Sequence, residues 1–550
     1  MSIYPRYISG AVWSVSPHTQ IHYQAIDQVR VSFANAQTFW SKMDLLILIA
    51  GMIVPGKYIG GTPISVREAR SLFSAPSLED IPKILVGPWA KFGCGLEGGK
   101  IALSSDTLAP PFDYIIKGDP EIVLARSLAS STSFEDADLN YTRTSAREIE
   151  PYTTKGAHIV PQFPGFSIGH IICEIETYRG CPRYLTGGCS FCVEPSYGIP
   201  QQRTVESIVS EIEELYRLGV RAFRLGHQAD LFTYGSSEIG EVEFPTPDAA
   251  AIEHLFSGIR MVAPDLGVLH IDNVNPGTIA QHPEESKQVA KVIIRYHTPG
   301  DVAAFGVEST DPEVIRRNNL KADVDEVLSA IRLLNEIGGM RNPWGLPHLL
   351  PGINLLYGLP GESTRTIEHN MDFLTQVLNE GLLIRRINVR QVIGLEGTSL
   401  GTNSGTRIKR NQFFRHKEEI RTTIDLEMIR KVAPPGTVLT SVFLEDEEGN
   451  HYLLRQLGTY PLLCHMPKTD GLIPNDVFVV DHGPRSLTVL PYPFIPQEAS
   501  LSQWKAISGI GAKRATRIKS IASPKNLDDI QQVLDMELPE WLSRTFHFEN

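Results

Sequence analysis

No apolar run in this chain is long enough to cross a bilayer. The longest, Met43 to Val54, contains Asp44 and reads as a buried strand instead. The N-terminus, Met-Ser-Ile-Tyr-Pro-Arg, lacks the basic and then apolar layout of a secretory signal. Cysteine is scarce, six in 550 residues, and three of the six lie together. That pattern argues against a disulfide framework and for a reducing, cytoplasmic setting with no membrane partner. Positive charge is also short: 51 Lys and Arg against 63 Asp and Glu leave a net charge of −12. Nonspecific wrapping of nucleic acid by the whole surface is thereby excluded, while a local basic patch is not. A chain of this length exceeds one hydrophobic core, and about three or four domains are expected.

Strand and helix signals alternate through residues 1–150. Leu45-Leu-Ile-Leu-Ile-Ala and Lys83-Ile-Leu-Val-Gly read as buried parallel strands, with a helix pattern from Ser65 to Ser74 between them and a strand, turn and helix start over Phe112 to Glu121. This predicts a small doubly wound, Rossmann-like sheet. Gly93-Cys-Gly-Leu-Glu-Gly-Gly99 fits neither the dinucleotide fingerprint nor the P-loop and reads as a connecting loop.

Residues 151–430 open with a proline-marked linker, Tyr152 to Phe166, and continue as repeated strand and helix, the rhythm of a partial or full (β/α) barrel. Residues 431–500 switch to short strands with turn chemistry between them and predict a small β-barrel. Residues 501–550 read as helical. The whole is an α/β chain of four units.

The barrel's first strand runs into Glu174-Ile-Glu-Thr-Tyr-Arg-Gly-Cys181-Pro-Arg-Tyr-Leu-Thr-Gly-Gly-Cys189-Ser-Phe-Cys192. Three thiols at Cys-x7-Cys-x2-Cys spacing suit zinc or an iron–sulfur cluster. A closed zinc site needs four ligands, and the chain has no second Cys-x2-Cys pair. On a [4Fe–4S] cube, three cysteines leave one iron open for chemistry.

With these residues in view, the chain resembles radical S-adenosylmethionine (SAM) enzymes, in the broad group with the methylthiotransferases and cobalamin-domain radical enzymes. More closely, it resembles an archaeal family with a C-terminal helix-hairpin-helix. The resemblance implies Cys181, Cys189 and Cys192 as ligands of a [4Fe–4S] cluster, with SAM on the open iron. Phe191 stands where the superfamily commonly has an aromatic residue. The seven-residue gap departs from the common Cys-x3-Cys-x2-Cys, and Pro182 to Gly188 is expected to bulge beside three convergent sulfurs.

Arg224-Leu-Gly-His-Gln-Ala-Asp230 occupies the place of the superfamily's glycine-rich stretch, which implies Gly226 and Gln228 at the cofactor. Phe305-Gly-Val-Glu308-Ser309 resembles the fourth-strand motif, which implies Glu308 and Ser309 there. Asn354 to Glu362 resembles the segment with a Gly-x-Pro-Gly-Glu turn after strand five; Asn354 is assigned to the cofactor, and Glu362 is expected to cap the next helix. His270, Asp272 and Asn273 on the third strand, with Arg386, Asn388, Arg390 and Gln391 on the sixth, are read either as holding an anion or as buried salt-bridge partners. The first domain resembles a cobalamin-binding sheet but lacks the Asp-x-His-x2-Gly signature. It also lacks the three cysteines of a methylthiotransferase auxiliary cluster.

In the tail, Trp504-Lys-Ala-Ile-Ser-Gly509-Ile-Gly511-Ala-Lys-Arg-Ala515 matches a helix-hairpin-helix. Its glycines permit a tight turn, and helix-start N–H groups face a phosphate. Lys505, Lys513, Arg514, Arg517 and Lys519 make the stretch basic, so Gly509, Gly511 and these cations are candidate nucleic-acid contacts, with domain packing as the alternative.

The expected function is reductive cleavage of SAM to modify a nucleic acid, tRNA in preference to DNA, with an electron-donor protein as partner. A radical enzyme acting on a protein or small metabolite, or a noncatalytic metal-containing nucleic-acid-binding module, are the other readings.

Overall fold

The computed structural model describes residues 1–51, 61–95, 98–130, 134–401, 408–469, 473–521 and 524–548. Met52 to Val54, at the end of the long apolar run, and Leu96 and Glu97 of the glycine-rich loop lie outside them. Unbroken apolar runs make buried parallel strands, and β1 (Leu46–Ile49) and β2 (Lys83–Val86) pair in this way, with β3 (Tyr114–Ile115) parallel on the other edge of β2. The helix Val66–Phe73 between β1 and β2 starts at a capping box formed by Ser65 and Glu68. Alternate residues of the sheet enter separate cores, Leu46 and Leu85 on one face, Ile84 and Val86 on the other.

The central unit has six parallel barrel strands: β4 (Cys173–Glu176), β5 (Ala222–Gly226), β6 (Val268–Ile271), β7 (Asp301–Glu308), β8 (Leu349–Tyr357) and β9 (Arg386–Gln391). β4, β5 and β6 form one sheet; the chain bends at Asp272 and resumes as Asn273–Val274 beside β7, which leads to β8 and β9. Among the described residues β4 and β9 do not pair, so the barrel is open along that edge. Helices on the outside, such as Val205–Arg217 capped by Thr204, cover a single large apolar core.

The linker expected at Tyr152 to Phe166 is helical instead: Glu150–Gly156 is an α-helix and Ala157–Gln162 a 3-10 stretch that accommodates Pro161. The helix Ile3–Val15 lies on it at backbone contact, because Gly10 and Gly156 carry no side chain; a Cβ on Gly156 would stand 1.9 Å from the Arg6 carbonyl. Ile8 of that N-terminal helix enters the core of the first sheet, while Arg6 pairs with Glu211 of the barrel, fully buried. The helix therefore wedges the two units together.

The C-terminal sheet holds β10 (Val438–Leu439), β11 (Val442–Glu448), β12 (His451–Gln456), β13 (Leu463–Pro467), β14 (Val477–Gly483) and β15 (Ser486–Pro491), in the order β10-β14-β15-β13-β12-β11. β13 carries no clear sequence signal. The tail helices Leu501–Ala506 and Ala512–Lys519 share one core with this sheet: Trp504, Ile507, Ile510 and Ala515 pack with Phe478, Leu490 and Phe494. No described helix is long and apolar enough to cross a membrane.

Candidate active site

The cysteine loop leaves the carboxyl end of β4 and is shaped by glycines. Pro182–Thr186 forms one 3-10 turn, and Gly187 and Gly188 follow with φ of +84° and +63°. Any side chain on Gly188 would collide with Pro195, 2.3 Å away, so the turn folds back tightly. Asn319, itself at φ +48°, braces the turn by donating to the carbonyls of Thr186 (3.1 Å) and Gly188 (3.0 Å). Ser190 is held by Asn318, N–H to carbonyl at 3.0 Å and hydroxyl to side-chain amide oxygen at 2.7 Å.

So folded, the loop turns Cys181, Cys189, Cys192 and Phe191 to one cavity of about 210 Å³. Burial pushes the Cys181 thiol up to about 11 and Cys192 up to about 12, and raises Cys189 as well. The thiols therefore stay protonated until a metal displaces the protons.

The opposite wall comes from strand ends. Gln228, buried, donates through Nε2 to the Leu225 carbonyl at 3.2 Å, while its Oε1 is buried with no partner among the described residues. Asn354 lines the cavity and accepts from Asn388 Nδ2 at 3.0 Å. A bulge in β7 between Gly306 and Glu308 puts Glu308 at φ +65°. A Cβ on Gly306 would meet Lys321 Nζ at 2.5 Å and Glu308 Oε1 at 2.7 Å, so glycine there lets carboxylate and ammonium share the cavity wall. Burial lifts the Glu308 carboxyl to about 7, with Lys321 and Arg390 opposing the rise.

Two assigned residues stand elsewhere. Ser309 is buried away from the cavity, its hydroxyl accepting from the Asp311 N–H at 3.2 Å. Gly226 ends β5 without bordering the cavity, and a Cβ there would stand 3.3 Å from Glu174 Oε1. Its neighbour His227 does border it, at φ +56°, with Nε2 2.8 Å from Glu174. Burial opposes the charged ring of His227, but Glu174 outweighs it and lifts the pKa to about 9. Glu362 does not cap the following helix: its carboxylate accepts from the Gly358 N–H at 2.9 Å, and Ser363 makes the cap. On the third strand, His270 accepts from the Thr459 N–H at 2.9 Å and Asp272 from the Tyr460 hydroxyl at 3.2 Å, so both tie the barrel to the C-terminal sheet.

Lys321, Arg183 and Asn319 carry no sequence signal as site residues. Arg183 lies within the cysteine loop itself, whereas Lys321 lines the cavity and Asn319 braces the loop from a turn without a motif, brought there by the fold. The thiols, the partnerless amide oxygen and the carboxylate–ammonium wall suit an iron–sulfur cluster with a polar, zwitterionic ligand beside it.

A second cavity, about 2490 Å³, enters the barrel through its open edge; Glu174, Arg224, Asp272, Asn388 and Arg390 line it. It adjoins the first where Asn388 bonds Asn354.

In the tail, Gly509 has φ +85° and Gly511 precedes the helix Ala512–Lys519. Lys505, Lys513 and Arg517 are exposed. Arg514 bonds Asp535 at 2.6 Å and the Gly509 carbonyl at 2.8 Å, and Arg517 lies 3.8 Å from Asp535, so an acid from the next segment faces the basic stretch.

Residues 175–374 match the Radical SAM superfamily. An uncharacterized protein of Methanocaldococcus jannaschii is 43% identical over 495 residues, covering 89% of each chain. One from Archaeoglobus fulgidus is 38% identical over 534 residues, covering 96% of this chain and 93% of its own. The ribosomal protein uS12 methylthiotransferase of Heliobacterium modesticaldum is 29% identical over 192 residues, 34% of this chain and 36% of that one. Among solved structures, a cobalamin-dependent S-adenosylmethionine radical enzyme aligns with a TM-score of 0.48 at 13% identity, over 68% of this chain and 49% of that chain. The match begins within β4, directly before the cysteine loop, and the chain belongs to the radical SAM superfamily.

Proposed function

We propose that this protein cleaves SAM reductively and uses the product to modify a nucleic acid, tRNA in preference to DNA. One observation carries the catalytic half: three thiols from a single loop open to the same cavity as Gln228, Glu308 and Asn354. Cys181, Cys189 and Cys192 would hold a [4Fe–4S] cluster, with SAM at the iron they leave open. The bound cluster would supply one electron, delivered by a donor protein, for cleavage of SAM to methionine and a hydrogen-abstracting 5′-deoxyadenosyl group. The chain's own part is to orient the cofactor. Gln228 Oε1 would accept from the amino group of SAM, Glu308 from its ribose or amino group, and Lys321 would attract its carboxylate. Phe191 packs against Val314, Leu359 and Leu400 and closes the apolar side of the loop.

The nucleic-acid half is supported by the size and basic lining of the second cavity and by the exposed lysines of the tail. A second reading, a protein or small-metabolite substrate, is favoured by the tail's burial against the C-terminal sheet, which makes packing its first role. Anaerobic reconstitution tests the catalytic half: it should give [4Fe–4S] absorbance and 5′-deoxyadenosine on reduction, and loss of both in a Cys189→Ala variant. Absence of either signal from the unaltered protein refutes it. Mass comparison of tRNA nucleosides from cells with and without the protein tests the substrate; identical nucleosides refute tRNA.

A further inference from the structure

The second cavity gathers more cations than its own acids neutralise. β9 brings Arg386 and Arg390, the helical stretch Arg410–Asp425 brings Lys417 and Arg421, and the turn between β14 and β15 brings Arg485. The acids lining the same space are mostly committed. Glu174 is taken by Arg224 and His227, Asp272 by Arg224 and Tyr460, and Asp27 by Arg30. Asp44 stands before β1, on the wall formed by the first sheet. Among the described lining acids Asp425 alone faces the cluster, 3.8 Å from Arg485. From outside the lining, exposed Glu418 lies 3.3 Å from Arg421, and Glu308 acts on Arg390 from the cysteine cavity. A positive excess remains.

Arg386, Arg390 and Lys417 are half-buried, while Arg421 and Arg485 keep 38% and 37% of their side chains exposed at the mouth. Like charges gathered so closely repel one another, and packing alone offers no reason to collect them. Burial, then mutual repulsion, lowers Lys417. Burial lowers Arg386 to about 10, with Arg485, Arg390 and Arg385 adding to the strain and Tyr460 opposing it. The Nε–H groups of Arg385 and Arg421 are buried and have no acceptor among the described residues. The Arg386 guanidinium lies over the Tyr460 ring at 4.1 Å, which fixes its fork in the cavity. Such preset forks suit phosphate oxygens, which take paired N–H bonds from arginine.

We infer that this cavity is a phosphate site, in which Arg386, Arg390, Lys417, Arg421 and Arg485 grip successive phosphates of the substrate and point its target nucleotide at the cysteine cavity. The substrate clause rests on the nucleic-acid reading above; the phosphate site rests on the charge cluster. The grip on the backbone thus lies beside the barrel, with the tail at most an outer contact.

The test uses the full chain and two probes, pyrophosphate and unfractionated tRNA. A Lys417→Gln/Arg421→Gln/Arg485→Gln variant is compared with a tail variant, Lys505→Gln/Lys513→Gln/Lys519→Gln. Expected are thermal protection of the unaltered protein by pyrophosphate, absent from the cavity variant, and at least tenfold weaker tRNA binding by that variant. Its salt slope should fall by about one for each phosphate it no longer neutralises. A charge-keeping Arg421→Lys/Arg485→Lys variant should retain most binding, which separates lost charge from lost folding. Pyrophosphate binding without tRNA binding sustains the site and overturns the nucleic-acid reading. The reverse pattern, tRNA binding untouched by the cavity changes and abolished by the tail changes, overturns the site and leaves that reading intact. Binding of neither probe overturns both.

Discussion

Arg183 Nη1 stands 3.2 Å from Cys189 Sγ. The arginine sits in the long gap between the first two cysteines of the loop, buried, its Nε 2.7 Å from Glu243 and its Nη2 donating to Asn319 at 3.2 Å. The extra residues of the loop therefore deliver a fixed positive charge to one of the three sulfurs.

A cation bonded to a cluster sulfur stabilises the more negative, reduced state, since hydrogen bonds and local charge set cluster potentials. With Cys189 as the proposed ligand, Arg183→Gln should shift the midpoint potential to more negative values, and Arg183→Lys should shift it less. A redox titration followed by electron paramagnetic resonance reads this directly. An unmoved potential at full cluster content would remove Arg183 from any such role.

Glu308 should make SAM binding pH-dependent. A carboxyl lifted to about 7 is an acceptor above that pH and is progressively lost below it. Calorimetric titration of SAM into the reconstituted protein should show affinity falling from pH 8 to pH 6, with Glu308→Gln weaker and flat across the range. A flat profile in the unaltered protein counts against the contact.

His227 should contribute stability in the opposite direction on the pH axis. Its folded pKa is about 9, above the usual 6.5, so its stabilisation is complete below 6.5 and is lost as pH rises through 9. The contribution is about 3 kcal/mol at most, at 1.36 kcal/mol per pKa unit. Thermal midpoints measured from pH 6 to pH 9.5 should decline more steeply in the unaltered protein than in His227→Gln.

Trp504 is fully buried, with Phe494 and Phe546 edge-on at 5.3 and 5.6 Å. Trp504→Ala should cost about 3–5 kcal/mol and loosen the C-terminal sheet as well as the tail, seen as lost near-ultraviolet dichroism. Deleting the tail outright would bare Phe478 and Phe494, so point changes such as those at Lys505 and Lys513 are the sound probe of its surface.

Much was legible locally. Strand and helix periodicity marks the first sheet and the barrel, because each needs only neighbours two to four positions apart. Cys181, Cys189, Cys192 and Phe191 announce themselves by type and spacing on one short loop. Ser363, rather than Glu362, caps its helix because it lies one position nearer the helix start. The prolines at 161 and 164 point to a linker; the close approach of Gly10 to the helix carrying Gly156, far apart in sequence, decides for helices.

By itself the sequence determined the strand–helix alternation of the first sheet and the barrel and the identity of the thiol loop, since both rest on short-range spacing and side-chain chemistry. The tertiary structure alone decided which charges meet. Lys321 over Gly306, Asn388 on Asn354, and Arg386 with Lys417 and Arg485 come from segments that no periodicity links. Electrostatic interaction depends on distance and burial in space, and those exist only once the barrel, its open edge and the C-terminal sheet have packed.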